Sequence, residues 1–216
     1  MIDKLLSLPK TIWFNLRYLP FRQAIKLPIA IHYSTKCRIS GEVYLDCKKV
    51  SPFMVRIGFH EVPIIPKQKT FLEIRGSLMF EGTAHIGKGS RIVVGKGARV
   101  ELGDNFAISA SSYINCYKRI KTGRDIQLSW GDLLMDGDAH LIYDIDGNVI
   151  NESKEIVLGD KIWIGCDCKV LKGAVIPNNC VVGANSVVTA GSGMEQDSLI
   201  VGSPAKSVKK IGGFKI

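Results

Sequence analysis

Between Val157 and Ser192 an aliphatic residue returns at every sixth position: Leu158, Ile164, Val170, Ile176, Val182 and Val188. Four residues after each of the first five stands a medium or small residue: Ile162, Cys168, Ala174, Cys180 and Ser186. A period of six is neither helical nor an unbroken alternation, so each six reads as a short strand followed by a corner. Anchor and fourth residue lie an even number of strand positions apart and therefore point to one side. Gly159, Gly165 and Gly183 directly follow three anchors, where a corner asks for backbone angles that a Cβ resists. Units of this kind bury nothing alone but share one continuous core when stacked, which predicts an all-β solenoid.

The same pattern runs further back. Sixes begin at Ile74, Phe80 and Ile86, widen by two residues to Val94 and again to Leu102, and resume at Ile108, Ile114, Ile120 and Ile126. With three sixes to a coil, the anchors from Ile74 to Val188 amount to about five coils. Between about Ile39 and Val62 the alternation persists, but Pro52, Pro63 and Pro66 disturb the period, which predicts one or two irregular early coils. The repeat breaks once at length, between Ile126 and Leu158, and a long insertion in a compact repeat is a place to look for function. Residues 1–33 read differently: Ile12, Trp13, Leu16 and Leu19 suggest one face of a short helix, with Asn15 and Arg17 on the other and Pro20 at its end. The chain thus divides into an N-terminal extension (1–33), a solenoid (34–200) and a tail (201–216).

The words Ile156-Val-Leu-Gly-Asp-Lys-Ile-Trp-Ile-Gly165, Val182-Gly-Ala-Asn-Ser-Val-Val-Thr189 and Val201-Gly-Ser-Pro-Ala-Lys206 resemble those of the hexapeptide-repeat acyltransferases. That resemblance implies a left-handed parallel β-helix, although the general rule for crossovers favours the right hand. It also implies a sugar O-acetyltransferase of the capsule and lipopolysaccharide type that takes acetyl-CoA and works as a homotrimer with CoA held between subunits. The segment from Thr11 to Ile29 is similar to the N-terminal extension of such enzymes.

His140 follows Asp136-Gly-Asp-Ala and precedes Gly159-Asp-Lys-Ile-Trp-Ile-Gly165, the layout in which the family carries its catalytic histidine. An imidazole suits the work, since it titrates near neutrality and can take a hydroxyl proton and return it to a departing thiolate. The resemblance therefore makes His140 the general base as a sugar hydroxyl attacks the thioester carbonyl. Asp138, with Asp136 as the other candidate, would orient the ring, and a backbone N–H between Trp163 and Cys166 would face the oxyanion. It also places the pantetheine arm near Trp163, Cys166 and Ala184, with Thr189 at the next turn. Lys206 and Lys209 fall where the family keeps basic residues for the phosphates of CoA. On the acceptor side the match weakens, with Ser109, Asn115 and Lys118 near positions where galactoside and maltose acetyltransferases hold their sugar. An amine acceptor and a non-catalytic scaffold remain as alternatives.

Composition adjusts this picture at three points. The 216 residues are 46% hydrophobic, enough for a sizeable core in one domain with an extension. The six cysteines have no framework spacing, and Cys168 and Cys180 fall in the inward slot, so all read as reduced thiols of a cytoplasmic protein. Neither Cys166-Asp-Cys168 nor the spacing of His32, His60 and His85 forms a metal set, and no metal is expected. Asp144-Ile-Asp-Gly-Asn148 lacks the glycine position and flanking helices of a calcium loop. The net charge of +9 favours an anionic partner, yet no aromatic-interleaved basic motif of a nucleic-acid module is present.

No apolar run is long enough to span a bilayer, and Pro9, Asn15, Arg17 and Pro20 interrupt any signal-peptide core. Two readings of the extension stand. In one it caps the open edge of the first coil. In the other it lies at a membrane surface, with Trp13, Phe14, Tyr18 and Phe21 in the headgroups and Lys10, Arg17, Arg22 and Lys26 on anionic lipid.

Overall fold

The computed structural model describes residues 2–215 other than 60, 61, 64 and 67, so His60 lies outside the described residues. The chain winds into a three-sided parallel β-helix. One face stacks Ile29–Ile31, Val55–Ile57, Ala84–Ile86, Phe106–Ala110, Ile126–Trp130, Ile162–Ile164, Cys180–Val182 and Ser198–Gly202, and ends on Ala205–Lys210. The second face has seven strands from Lys36–Ile39 to Val187–Val188, and the third has six from Glu42–Leu45 to Val175–Ile176.

Every anchor from Ile74 to Val188 points into the core, and none is more than 2% exposed. The fourth residues do likewise, Ile162, Cys168, Ala174 and Cys180 being fully buried and Ser186 nearly so. On the second face Ile74 lies in the second rung and Val188 in the seventh, which gives the five coils expected between them. Successive rungs are in register, so that Ile86, Ile108, Leu128, Ile164, Val182 and Ile200 form one continuous column on the first face.

That column corrects the position of the break. Leu128, not Ile126, continues the line from Ile108 to Ile164, and Leu134 follows six residues later on the second face. The insertion is therefore only residues 136–155, between Leu133–Met135 on the second face and Ile156–Leu158 on the third.

The glycines after the anchors serve a different purpose from the one their position suggests. Gly87, Gly103, Gly159 and Gly165 do not adopt left-handed angles. They lie where the next rung passes too close for a side chain: a Cβ on Gly87 would sit 1.9 Å from the Ser109 carbonyl oxygen, and one on Gly103 2.2 Å from that of Gly123. At the turn into the first face the left-handed position is taken by Asn105, Asp125, Lys161, Asn179 and Asp197, each one residue before a first-face strand. Asn and Asp tolerate that region best, and here they also link rungs, with Asn105 Nδ2 donating to Asp125 Oδ1 at 2.8 Å and Asn179 Nδ2 to Asp197 Oδ1 at 2.7 Å.

Helices α1 (Ile2–Leu6), α2 (Leu8–Tyr18) and α3 (Phe21–Ala24) lie across the first rung. The buried side of α2 carries Thr11, Phe14 and Asn15, whereas Ile12, Trp13 and Leu16 are exposed. This reverses the face expected from the sequence, because the helix seals a strand edge rather than a purely apolar core. The Asn15 carboxamide accepts from Ile29 N–H at 3.1 Å and donates to Ile29 C=O at 2.7 Å. Thr11 Oγ1 accepts from Ile31 N–H at 3.0 Å, and Ser7 Oγ from Tyr33 N–H at 3.0 Å. Side chains four apart on a helix are about 6.0 Å apart along its axis. Alternate residues of a strand are spaced by about 6.6 Å, so Ser7, Thr11 and Asn15 substitute for a missing neighbouring strand. The first rung accordingly begins at Ile29, inside the segment the sequence assigns to the extension, and the tail contributes Ala205–Lys210 to the first face.

Asn15→Ala leaves both backbone groups of Ile29 unpaired in a buried setting and is expected to destabilise the protein by about 3 kcal/mol. Urea unfolding monitored by circular dichroism measures this loss, with the denaturant slope unchanged if the fold is retained.

Candidate active site

The insertion leaves the corner between the second and third faces and returns to it as a short hairpin. Tyr143 and Val149 form an antiparallel bridge, and Ile150 N–H donates to Ile142 C=O at 3.0 Å. The turn is closed by Asp144, whose carboxylate accepts from Asp146 and Asn148 N–H at 2.9 and 2.8 Å, so the Asp-Ile-Asp-Gly-Asn word is an Asx turn. Leu141, Ile142, Tyr143, Ile145 and Ile150 on the hairpin are exposed.

His140 stands at the root of this hairpin, five residues past the end of Leu133–Met135, with its side chain exposed. Asn151 clips the root together. Its Nδ2 donates to the His140 carbonyl at 2.7 Å and to Asp138 Oδ2 at 2.9 Å, while its Oδ1 accepts from Ile142 N–H at 2.7 Å. Lys172, one rung above, bonds to Asp138 Oδ2 and also to the Asn151 carbonyl at 3.1 Å. The Lys172 ammonium, followed by the Asn151 amide, holds the Asp138 carboxyl below its usual range. Ala139 adopts φ +63°, a left-handed angle that an alanine takes only under constraint.

The two carboxylates proposed to orient the ring are thus engaged elsewhere. Asp138 faces Lys172 and Asn151. Asp136 is fully buried and accepts three backbone N–H groups, from Tyr117 at 2.6 Å, Lys118 at 2.9 Å and Arg119 at 2.7 Å, which makes it a staple for the corner one rung below. Asn151 and Lys172 were not identified from sequence. Lys172 carried a usable signal, since it occupies the same corner as the insertion one rung later, whereas nothing marks Asn151 until the hairpin folds.

Of the remaining candidates, all but Thr189 lie away from this edge. Cys166 and Ala184 stack at the corner between the first and second faces, and Gly165 between them and the first face leaves no room for a Cβ, with Ala184 N at 2.8 Å. The Gly165 N–H is committed to Val182 C=O at 2.8 Å and is not available to an oxyanion. Trp163 lies on the outer side of the first face, 42% exposed, its Nε1 donating to Ser129 Oγ at 3.2 Å and its ring 6.3 Å from that of Phe214. Thr189 belongs to the second–third corner, the edge that carries His140, where Ala190 passes over Gly173 and Gly173 over Lys154 at the end of the insertion.

Lys206 and Lys209 are three residues apart, and in a regular strand they would face opposite ways. A bulge between Leu199 and Ile200 on the paired strand changes this: Lys206 lies opposite Val201, and Lys209 opposite Leu199. Both partners are outward, so both lysines project to the outer side of the first face. Leu199 continues the outward column Gln127, Trp163, Val181, which aligns the indole and Lys209 along one line.

The fold matches the crystal structure of the polySia-specific acetyltransferase NeuO, with a TM-score of 0.56 over 85% of this chain and 89% of that one; at 19% identity the match speaks for the fold. In sequence the chain is 44% identical over 59 residues to WbbJ of Escherichia coli, a protein named for O-acetyl transfer in lipopolysaccharide biosynthesis. It is 40% identical over 56 residues to the polysialic acid O-acetyltransferase of Neisseria meningitidis. Over these short stretches the chain is similar in sequence to sugar O-acetyltransferases. Its solenoid is a left-handed parallel β-helix. These stretches are 27% and 26% of the present chain and span only 29% and 26% of the two relatives' lengths. No protein-family model matches the chain.

One further group stands out among the described residues. Asp132, at the corner below Cys168, is fully buried; Oδ1 accepts from Cys168 N–H at 2.9 Å, and Oδ2 has no partner among the described residues. Burial pushes its carboxyl up to about 8. In the unfolded chain the same group titrates near 3.9, so between about pH 4 and 8 the native state holds a proton that the unfolded state has released. Stability should therefore fall as pH rises through that window and level off above it. Asp132→Asn keeps the acceptor for Cys168 and removes the titration. Unfolding free energies from pH 5 to 8 are expected to decline by a few kcal/mol less in the variant than in the wild type.

Proposed function

We propose that the protein transfers the acetyl group of acetyl-CoA to a sugar hydroxyl in the assembly of a cell-surface polysaccharide. The observation that carries this reading is the bulge that brings Lys206 and Lys209 to the outer side of the first face, in line with Trp163. A CoA thioester has two ends of different character, a polyanionic nucleotide and a thin uncharged arm. Two outward cations beside an exposed indole and a stack of small corner residues, Cys166 and Ala184, fit that pair of requirements. Similarity to proteins named for O-acetyl transfer in lipopolysaccharide biosynthesis and to polysialic acid supports a polymeric or lipid-linked sugar as acceptor.

His140 acts as general base. Its imidazole takes the proton of the acceptor hydroxyl as the oxygen bonds to the thioester carbonyl carbon, and returns a proton to the CoA thiolate as the carbon–sulfur bond breaks. Asn151 and Lys172 position it through the backbone rather than through the ring: they fix the hairpin root from which the side chain projects.

His140 and Thr189 lie on the second–third edge, whereas Cys166 and Ala184 lie on the first–second edge. A site that uses both draws them from neighbouring copies, so the working unit is a homotrimer in which unlike edges of successive subunits meet around a closed ring. The exposed apolar side chains of the 141–150 hairpin give such a contact an apolar component.

Release of free thiol from acetyl-CoA, followed against sugar nucleotides and lipid-linked sugars, tests the reaction. His140→Ala should fold normally and lower kcat by roughly 10² to 10⁴-fold; near-normal turnover in that variant would overturn the assignment. Lys206→Ala combined with Lys209→Ala should instead raise KM for acetyl-CoA by about tenfold with kcat little changed, the signature of lost ground-state binding.

A further inference from the structure

The outer side of the N-terminal helices is apolar and has no partner among the described residues. Ile2, Leu5 and Leu6 of α1, Leu8, Ile12, Trp13 and Leu16 of α2, and Phe21 of α3 with its neighbour Ile25 are all between 38% and 74% exposed. Together they present on the order of 1,000 Å² of apolar surface, against the roughly 300–600 Å² of the largest patch on a typical soluble monomer. The inner side of the same helices is already used, since Phe14, Leu19 and Ala24 fill the end of the core. Leu8, Ile12 and Leu16, four residues apart, form a second stripe on α2 pointing away from the solenoid.

Cations accompany this stripe at regular offsets. Arg17 follows Leu16, Arg22 follows Phe21 and Lys26 follows Ile25, and Lys4 precedes Leu5. Lys10 is not one of them, because its ammonium is bound to the carbonyls of Tyr33 and Thr35. Phe14 is fully buried and cannot reach outward.

We propose that this face docks the protein on an anionic lipid surface, with the apolar side chains entering the headgroup boundary and Lys4, Arg17, Arg22 and Lys26 pairing with lipid phosphates. The charge pattern favours this occupant over a second copy of the chain. A two-fold contact of the face with itself would bring each set of four cations against its duplicate, whereas a layer of acidic headgroups complements all of them at once. The helices thereby do two tasks with two sides, closing the first rung inward and binding lipid outward.

Flotation of the full chain with vesicles of phosphatidylcholine, with and without phosphatidylglycerol, tests the proposal. The wild type should bind the phosphatidylglycerol vesicles at least tenfold better than pure phosphatidylcholine, and lose that margin at high salt. Trp13→Ser/Leu16→Ser/Phe21→Ser should lower binding at least tenfold while circular dichroism and oligomeric size stay those of the wild type. Arg22→Gln/Lys26→Gln should reduce binding to the anionic vesicles alone. The proposal is overturned if the wild type fails to float with anionic vesicles, if the triple variant binds as well as the wild type, or if the triple variant's assembly becomes smaller, which would make a second copy the occupant. Because no acetyl transfer is read out, a negative result leaves the proposed activity standing.

Discussion

Vertical register is the constraint on which everything else in this molecule depends. Each rung sets its aliphatic residues directly over those of the rung below, and a slip of one residue would turn a whole column such as Ile86–Ile108–Leu128–Ile164 out into solvent. Register in turn forces the corners to repeat. Where the next rung runs within about a bond length of a missing Cβ, only glycine fits, as at Gly87 and Gly103. At the left-handed turn into the first face, Asn and Asp take most of the positions, and Asn105–Asp125 and Asn179–Asp197 bond from rung to rung. Lys161 holds that angle without a carboxamide, and its ammonium lies 5.8 Å from the Phe214 ring.

The repeat was legible because burial imposes period and side-chain size together. A six-residue spacing of Ile, Val and Leu with small residues four later has no competing explanation, and the count of rungs follows from it. Local matters were less legible. The expected apolar face of α2 was inverted because sequence pattern assumes that a helix buries hydrocarbon, whereas this one also satisfies a strand edge, a task for Ser7, Thr11 and Asn15. The glycines were found but for the wrong reason, since close approach between rungs leaves the same mark in sequence as a strained backbone angle. The shift from Ile126 to Leu128 was hidden by a strand with apolar residues at both positions.

At the candidate site, the words around Trp163 and His140 point to two corners of the solenoid, and the geometry found there is tertiary. Asn151 is eleven residues beyond His140 in sequence and meets it only because the hairpin closes. Lys172 enters from the next rung. The common direction of Lys206 and Lys209 depends on a bulge that three-residue spacing alone would argue against. That His140 and Cys166 occupy different edges of one prism follows directly from topology, once each residue is assigned to a face.

The last strand of the first face has a consequence for the molecule's life in concentrated solution. A parallel stack has no intrinsic end, and its final rung offers a row of donors and acceptors to any chain that presents a matching row. Here Ala205–Lys210 runs in the opposite direction from the eight strands before it, is broken by the bulge, and turns Lys206 and Lys209 outward beside Lys210. On the first face another strand arriving at this edge meets a kinked template and the outward cations Lys206 and Lys209. The reversed, bulged and charged strand is thus a poor template for further edge pairing on the first face, the feature by which β proteins blunt an open edge.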